Sequence, residues 1–245
     1  MLAPWLDVDA SDWALFLDID GTVLPIQPRP ERVRADRELH ELLGRLYGRL
    51  QGALALVSGR NLADIDRIFA PHQFSAAGGH GSEVRLAGEH AIEPDLPTLT
   101  PAVIRGAQRL VDRSPGLLLE RKRHGLAVHY RGAPEARARV RSWIAATANE
   151  HAGKFQVVEG KMVCELVASG VDKGAAIRRF MAREPFRHRK PIFVGDDVPD
   201  ELGFAAANEH GGVSIRVGGG GRSAATENLA SVTDLRRWLA KSFLD

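Results

Sequence analysis

The sequence predicts a doubly wound α/β protein, a mostly parallel sheet with an α+β module inserted into it, and three observations carry that prediction. Apolar runs of strand length at residues 14–17, 53–57 and 191–194 alternate with stretches of helical periodicity. Each run ends in polar residues: Asp18 and Asp20, Ser58-Gly59-Arg60, and Gly195-Asp196-Asp197. Beyond residue 77 the alternation gives way to strands that follow one another in pairs, and it resumes near residue 170. The expected division is therefore a discontinuous core of residues 1–82 and 170–245 with an inserted module at 83–169.

Taken in order, the run at 14–17 is apolar throughout, as a parallel strand covered on both faces requires. Asp36 then precedes Leu39, Leu42, Leu43, Leu46 and Leu50, an N-cap followed by one apolar stripe of a helix. A strand at 53–57, a helix over Leu62–Phe69 and a strand at 74–77 complete a second β-α-β unit. Gly78-Gly79-His80-Gly81 reads as a flexible turn, and residues 84–92, split by Ala87-Gly88-Glu89, read as a hairpin. The module continues with a helix over Pro101–Asp112, strands at 117–121 and 126–130, a helix at 134–151, and strands at 155–158 and 162–167. Paired strands with two helices between the pairs suggest a small antiparallel sheet covered on one face. Asp172 then caps a helix carrying Lys173, a strand at 191–194 leads to a helix at 200–208, a strand spans Val213–Val217, and a helix over Val232–Phe243 closes the fold on Trp238 and Leu239. The glycine run 218–221 lacks a following Gly-Lys-Ser/Thr and reads as a loop, not a phosphate cradle.

Composition narrows the function classes. The chain has 245 residues, 44% hydrophobic and 26% charged, with a formal charge of +2, as expected of a soluble globular protein. Basic residues are dispersed among acids, and Arg121-Lys122-Arg123 is too short a cluster to argue a nucleic-acid surface. No apolar run has bilayer length, and the first residues carry acids without the basic start of a signal peptide. The lone Cys164 excludes an intrachain disulfide, suits a cytoplasmic location and reads as a buried packing residue.

The polar residues at the strand ends form the candidate site. Strand and helix termini deliver Asp18 with Asp20, Ser58, Lys173, and Asp196 with Asp197 and Asp200, and in a doubly wound sheet all of these project toward one edge. Two acids one residue apart invite either a divalent cation or a split between ionised and protonated roles. Several acids around one lysine and one hydroxyl describe a magnesium-dependent phosphoryl site. These residues also have plain local readings: Asp18 and Asp20 as turn or capping acids, Ser58 as a cap for the helix from Leu62, Lys173 as a solvated first-turn residue and Asp200 as an N-cap.

With D-I-D-G-T, S-G-R, D-K-G and G-D-D-V-P-D-E in that order, the chain resembles the haloacid dehalogenase superfamily of phosphatases. Within it, G-x-H-G-x-E at 78–83, E-R-K at 120–122, H-Y-R at 129–131, G-K-M-V-C-E at 160–165 and G-D-D-x-x-D-E at 195–201 are similar to the trehalose-6-phosphate phosphatases. One departure is Pro199, where that family usually carries Thr; because the neighbouring carboxylates are kept, it reads as a stiffer loop.

The resemblance implies a Rossmann-like core with an α+β cap, and hydrolysis of trehalose 6-phosphate to trehalose and phosphate, the last step of trehalose biosynthesis. It implies Asp18 as nucleophile, Asp20 as proton carrier, and Ser58 and Lys173 as holders of the transferring oxygens. It implies magnesium (Mg2+) held by Asp18, the backbone carbonyl of Asp20, and Asp196, with Asp197 and Asp200 orienting Lys173 and metal-bound water. Sugar recognition is expected from Glu120, Lys122, Arg131, Lys161 and Glu165, with Glu120 and Lys122 on one strand face and Lys161 and Glu165 on another. His80 and His129 read as hinge or core residues. The partner is then a small sugar phosphate, with no nucleic acid or membrane, and the protein a monomer. The rival readings are a phosphatase of the same fold for sucrose 6-phosphate or mannosyl-3-phosphoglycerate, and a non-catalytic sugar-phosphate sensor.

Overall fold

The structure, a computed structural model, describes residues 9–90, 96–219 and 221–244. They divide into two compact units, one built from the chain up to residue 90 and from 172 onward, the other from residues 96–171. The strands are β1 (Trp13–Leu17), β2 (Leu54–Val57), β3 (Ser75–Gly78), β4 (Glu83–Arg85), β5 (Leu118–Lys122), β6 (Gly125–His129), β7 (Phe155–Gly160), β8 (Val163–Ala168), β9 (Lys190–Gly195), β10 (Val213–Val217) and β11 (Glu227–Leu229). The helices are α1 (Arg37–Arg49), α2 (Leu62–Phe69), α3 (Pro101–Asp112), α4 (Arg137–Glu150), α5 (Lys173–Met181), α6 (Glu201–Glu209) and α7 (Val232–Phe243).

In the first unit one sheet runs β11-β10-β9-β1-β2-β3-β4, and only β4 is antiparallel to its neighbour. Every residue of β1 is buried, which explains its unbroken apolar run. The chain builds outward from β1 through β2 and β3 on one side and through β9, β10 and β11 on the other. Strand order therefore reverses between β1 and β9, and the crevice beyond the carboxyl ends of those two strands is where such sheets bind ligands. Asp18 and Asp196 stand there.

Local chemistry sets the surrounding helices. The Asp36 carboxylate accepts from Leu39 N at 2.8 Å and starts α1, whose Leu39, Leu43 and Leu46 are buried in the core together with Leu50 just beyond it. Burial of each such leucine contributes about 1.5–3 kcal/mol. Asn61, not Ser58, caps α2, accepting from Asp64 N at 2.7 Å. In α7, Leu239 is fully buried and Trp238 packs partly buried against the same core.

Two strands depart from the expectation. Val84 and Arg85, expected in the first arm of a hairpin in the inserted module, instead belong to β4, which pairs antiparallel with β3 as the edge of the core sheet. Arg85 holds it there, donating to both carboxylate oxygens of Asp66 on α2, each at 2.7 Å, and to the Phe74 carbonyl. The second arm of that hairpin reaches residues 91 and 92, which lie outside the described residues. Strand β11 was not anticipated; three residues are too short to show an alternating pattern.

The second unit is an antiparallel sheet in the order β5-β6-β8-β7. Leu126, Val128, Cys164, Leu166 and Phe155 form its apolar core with Val103, Ala107 and Leu110 of α3 and Val140 and Ile144 of α4. Period-two geometry puts Glu120, Lys122, His129 and Glu165 on the opposite face. Cys164 is fully buried, and burial pushes its thiol up to about 11, so it behaves as a packing residue. Among the described residues no helix is long and apolar enough to cross a membrane.

Candidate active site

Asp18 leaves β1 almost fully buried, at 5% exposure. Its Oδ1 accepts from Lys173 Nζ at 2.7 Å, and its Oδ2 lies 3.0 Å from Thr22 Oγ1. The same Thr22 hydroxyl lies 3.2 Å from Asp196 Oδ1, so one proton donor links the ends of β1 and β9. Thr22 was read only as part of the D-I-D-G-T stretch; its fully buried place between two carboxylates gives it a part in the site.

Lys173 is the first residue of α5, behind the cap that Asp172 makes with Ala175 N at 2.7 Å. A cation in a first turn opposes the helix dipole, so other charges must hold it. Asp18 does so, and Asp200 Oδ1 accepts from Nζ at 2.5 Å. Burial works against the ammonium, but these two carboxylates outweigh it and hold Lys173 well above the usual lysine range.

Asp200 does not cap α6 with its side chain. Its Oδ2 accepts from the backbone N–H groups of Asp196 and Asp197, each at 2.9 Å, and so ties the turn after β9 to Lys173. The Asp197 carboxylate accepts from Val198 N at 2.9 Å and caps the short 3-10 turn Val198–Asp200. Pro199 sits early in that turn, where a missing N–H costs no helical hydrogen bond. The proline is therefore accommodated, and Asp196, Asp197 and Asp200 keep an ordered geometry around it.

One carboxylate oxygen from each of Asp18, Asp196 and Asp200 lies within 4.8 Å of the others. Burial pushes the Asp18 carboxyl well above its ordinary range; Lys173 pulls it back, while Asp200 and Asp196 push it further up. Three buried acids against one lysine leave negative charge that a hard, oxygen-seeking divalent cation would offset. Asp200 already accepts from three donors, so Asp18 and Asp196 are the better oxygen donors to such an ion. Gly21 makes the close approach possible: its φ is +90°, and a Cβ there would lie 2.1 Å from Asp196 Oδ2.

Asp20 stands apart from that cluster. Arg60 grips both its oxygens, Nε to Oδ2 at 2.6 Å and Nη2 to Oδ1 at 2.8 Å, a planar two-point pairing. Ser58 Oγ accepts from Arg60 N at 3.2 Å, so hydroxyl and guanidinium belong to one loop. Arg60 was quoted in S-G-R without a role. A cation one residue past a glycine, at a strand end facing two acids, was the signal available.

In the second unit the five expected sugar-binding residues fall into two sets. Glu165 is buried and pairs with Lys122, while Glu120 Oε2 lies 2.9 Å from His129 Nε2. His129 is thus a half-buried hydrogen-bond partner of Glu120. Arg131 and Lys161 are exposed at the sheet's end, where Arg131 Nη2 donates to the Lys161 carbonyl at 3.3 Å. Lys161 and Glu165, expected on one strand face, do not share a strand: Lys161 and Met162 form the turn between β7 and β8, and Met162 at φ +64° breaks the extended backbone before Val163.

Burial opposes ionisation of Glu120, yet the His129 hydrogen bond and the Lys122 charge outweigh it and hold the carboxyl below its ordinary 4.5. Folding thus favours the ionised form. The resulting stabilisation is present above about pH 4.5 and is lost as the pH falls through the lowered folded value. Glu120→Gln is expected to lose less melting temperature than the parent as the pH falls below about 4.5; parallel acid limbs would contradict this.

The geometry has counterparts among known proteins. The trehalose-phosphatase family profile matches residues 16–233. The chain is 35% identical over 231 residues to the trehalose-6-phosphate phosphatase of Escherichia coli K12, covering 94% of this chain and 86% of that one. It is 36% identical over 220 residues to a probable trehalose-phosphate phosphatase of Sinorhizobium fredii, covering 87% and 80%. In structure it resembles the C-terminal domain of the Candida albicans trehalose-6-phosphate phosphatase, with a TM-score of 0.85 at 20% identity over 94% of this chain and 91% of that one. It also resembles a trehalose-6-phosphate phosphatase related protein, with a TM-score of 0.75 at 28% identity over 92% and 95%.

Proposed function

Since the chain belongs to the trehalose-phosphatase family and is a phosphomonoester hydrolase, we propose that it cleaves trehalose 6-phosphate to trehalose and phosphate, the last step of trehalose biosynthesis. The observation that carries this reading is the buried Asp18–Lys173–Asp200 cluster, with Asp196 beside it, at the point where strand order reverses.

Asp18 attacks phosphorus in line: an Asp18–phosphorus bond forms and the bond from phosphorus to the sugar oxygen breaks. Asp20 gives its proton to the departing sugar oxygen. It then takes a proton from the water that attacks phosphorus, which breaks the Asp18–phosphorus bond and frees phosphate. Lys173 and Ser58 hold the transferring oxygens, and Asp200 keeps Lys173 aimed at them. Asp18, the Asp20 carbonyl and Asp196 would hold Mg2+, whose charge would offset the repulsion between a carboxylate and a phosphate dianion.

Residues 83–169 were expected as the sugar-reading module, and we assign that role to the unit of residues 96–171. Its polar sheet face supports this, because a disaccharide offers many hydroxyls and calls for paired charged side chains. Glu120, Lys122 and Glu165 would contact the glucose hydroxyls, with Arg131 and Lys161 at the edge of the same sheet. The setting we propose is the cytoplasm, with a diffusible metabolite as partner.

Phosphate release measured with trehalose 6-phosphate, glucose 6-phosphate and sucrose 6-phosphate tests the substrate. Fastest turnover is expected on trehalose 6-phosphate; a stronger response to either other ester would overturn the assignment, and binding without turnover on all three would favour a sensor. Glu165→Ala removes a charged partner of Lys122, so kcat/KM on trehalose 6-phosphate should fall by about tenfold or more. Cleavage of a small aryl phosphate should change far less. Equal losses would make Glu165 a support of the fold.

A further inference from the structure

The G-x-H-G-x-E stretch at 78–83 has no part in the chemistry above, yet it wraps the loop that carries Ser58 and Arg60. Gly79 N donates to the Arg60 carbonyl at 2.8 Å, and His80 N donates to the Ser58 carbonyl at 2.9 Å. Glu83 Oε2 accepts from Leu62 N at 2.9 Å, holding the start of α2 immediately after that loop. The buried His80 ring lies on Gly59, where a Cβ would come within 2.7 Å of its Cε1 and Nε2. His80 adopts φ +60° to reach that place, a backbone conformation that costs energy in a non-glycine residue. Behind it, the pairing of β4 with β3 and the Arg85–Asp66 bridge fasten the segment to the sheet and to α2.

We propose that residues 78–83 are a positioning element for the reaction: Glu83 and His80 set the Ser58-Gly59-Arg60 loop so that the Arg60 guanidinium meets both oxygens of Asp20. The inference rests on Asp20 as the proton carrier. To exchange a proton with the sugar oxygen, Asp20 must swap one Arg60 bond for that oxygen while the other bond keeps its direction. A guanidinium displaced by even 1 Å would leave Asp20 without that guide. Glu83 and His80 act through Arg60 and are positioning residues.

The test measures kcat, KM and melting temperature for Glu83→Ala, Glu83→Gln, Gly59→Ala, Arg60→Lys and Asp20→Asn, with trehalose 6-phosphate and p-nitrophenyl phosphate. A nitrophenolate leaves without protonation, so proton delivery matters only for the sugar ester in the first step. Glu83→Ala is expected to lower kcat/KM, which covers only the steps up to loss of the leaving group, about tenfold on the sugar ester with KM within about twofold, and less than about threefold on the aryl ester. Glu83→Gln keeps an oxygen for Leu62 N and should recover most of the rate. Gly59→Ala pushes against His80 and should reproduce the selective loss even if Glu83→Ala does not fold. In an Arg60→Lys background the Glu83→Ala loss should largely vanish, because the two act in one chain of contacts. Equal losses of kcat/KM on both esters, or fully additive effects with Arg60→Lys, overturn the proposal. If Asp20→Asn discriminates between the esters in kcat/KM and neither Glu83→Ala nor Gly59→Ala does, the positioning role fails alone; if Asp20→Asn lowers kcat/KM on both alike, the assignment of Asp20 as proton donor to the sugar oxygen fails first.

Discussion

Asp18→Asn is expected to reduce kcat on trehalose 6-phosphate by about 10⁴-fold or more while the protein remains folded. The size follows from the proposed role: an amide is a poor nucleophile toward phosphorus, and neither Asp200 nor Asp20 can take its place without breaking its own contacts. Asp200 is committed to Lys173 and two backbone N–H groups, and Asp20 to Arg60. The stability side has the opposite character. Asp18 is a buried acid crowded by Asp196 and Asp200, and its carboxyl is pushed up by burial and by both neighbours. Asparagine keeps an oxygen for Lys173 and removes one charge from the crowd, so the melting temperature should stay within a few degrees of the parent or rise. Retained turnover would defeat the nucleophile assignment, and a collapse in stability would contradict the picture of a strained acid cluster.

Lys173→Met is expected to damage activity and stability together. The side chain is 5% exposed and lies between Asp18 and Asp200. Removing the cation leaves two buried carboxylates without their shared partner, a change that typically costs about 3–5 kcal/mol. In a chain of this size that corresponds to a fall in melting temperature of roughly 10 °C. The rate should drop at least about 10²-fold if Lys173 holds the transferring oxygens as proposed. Calorimetry and steady-state assays at pH 7 check both halves. An unchanged melting temperature would mean that the carboxylates around Lys173 carry no net charge in the folded protein, against the arrangement described here.

Most of the core was legible because its elements obey local rules. Three helices, Leu62–Phe69, Pro101–Asp112 and Val232–Phe243, have in the structure the bounds expected of them. Asp36 and Asp172 cap where their positions before apolar stripes suggest. Strand β1 announced itself by unbroken hydrophobicity, and the acids after it by their place at a carboxyl end.

What was hidden depends on contacts distant in sequence. Residues 83–85 have the pattern of a hairpin arm, and only the bridge from Arg85 to Asp66 and the partnership with β3 show that they close the core sheet. Lys161 and Glu165 have the right parity for one strand face, but a left-handed Met162 intervenes, and parity cannot reveal a turn. Thr22 and Arg60 were in view as letters of motifs. Their roles emerge only when β1, β2 and β9 bring Asp18, Asp20 and Asp196 beside them. Asp200 and Asp197 were both expected to orient Lys173 and metal-bound water; Asp200 Oδ1 lies 2.5 Å from Lys173 Nζ, and the Asp197 carboxylate caps the adjoining turn.

The covalent step is the centre of this account, and rapid acid quench of the protein turning over phosphorus-labelled trehalose 6-phosphate in the presence of Mg2+ tests it most directly. Label should appear transiently on the peptide containing Asp18, before free phosphate reaches its steady rate, and should be absent from Asp18→Asn. Phosphate released at full rate with no label on the protein at any time, or label on a peptide without Asp18, would contradict the mechanism.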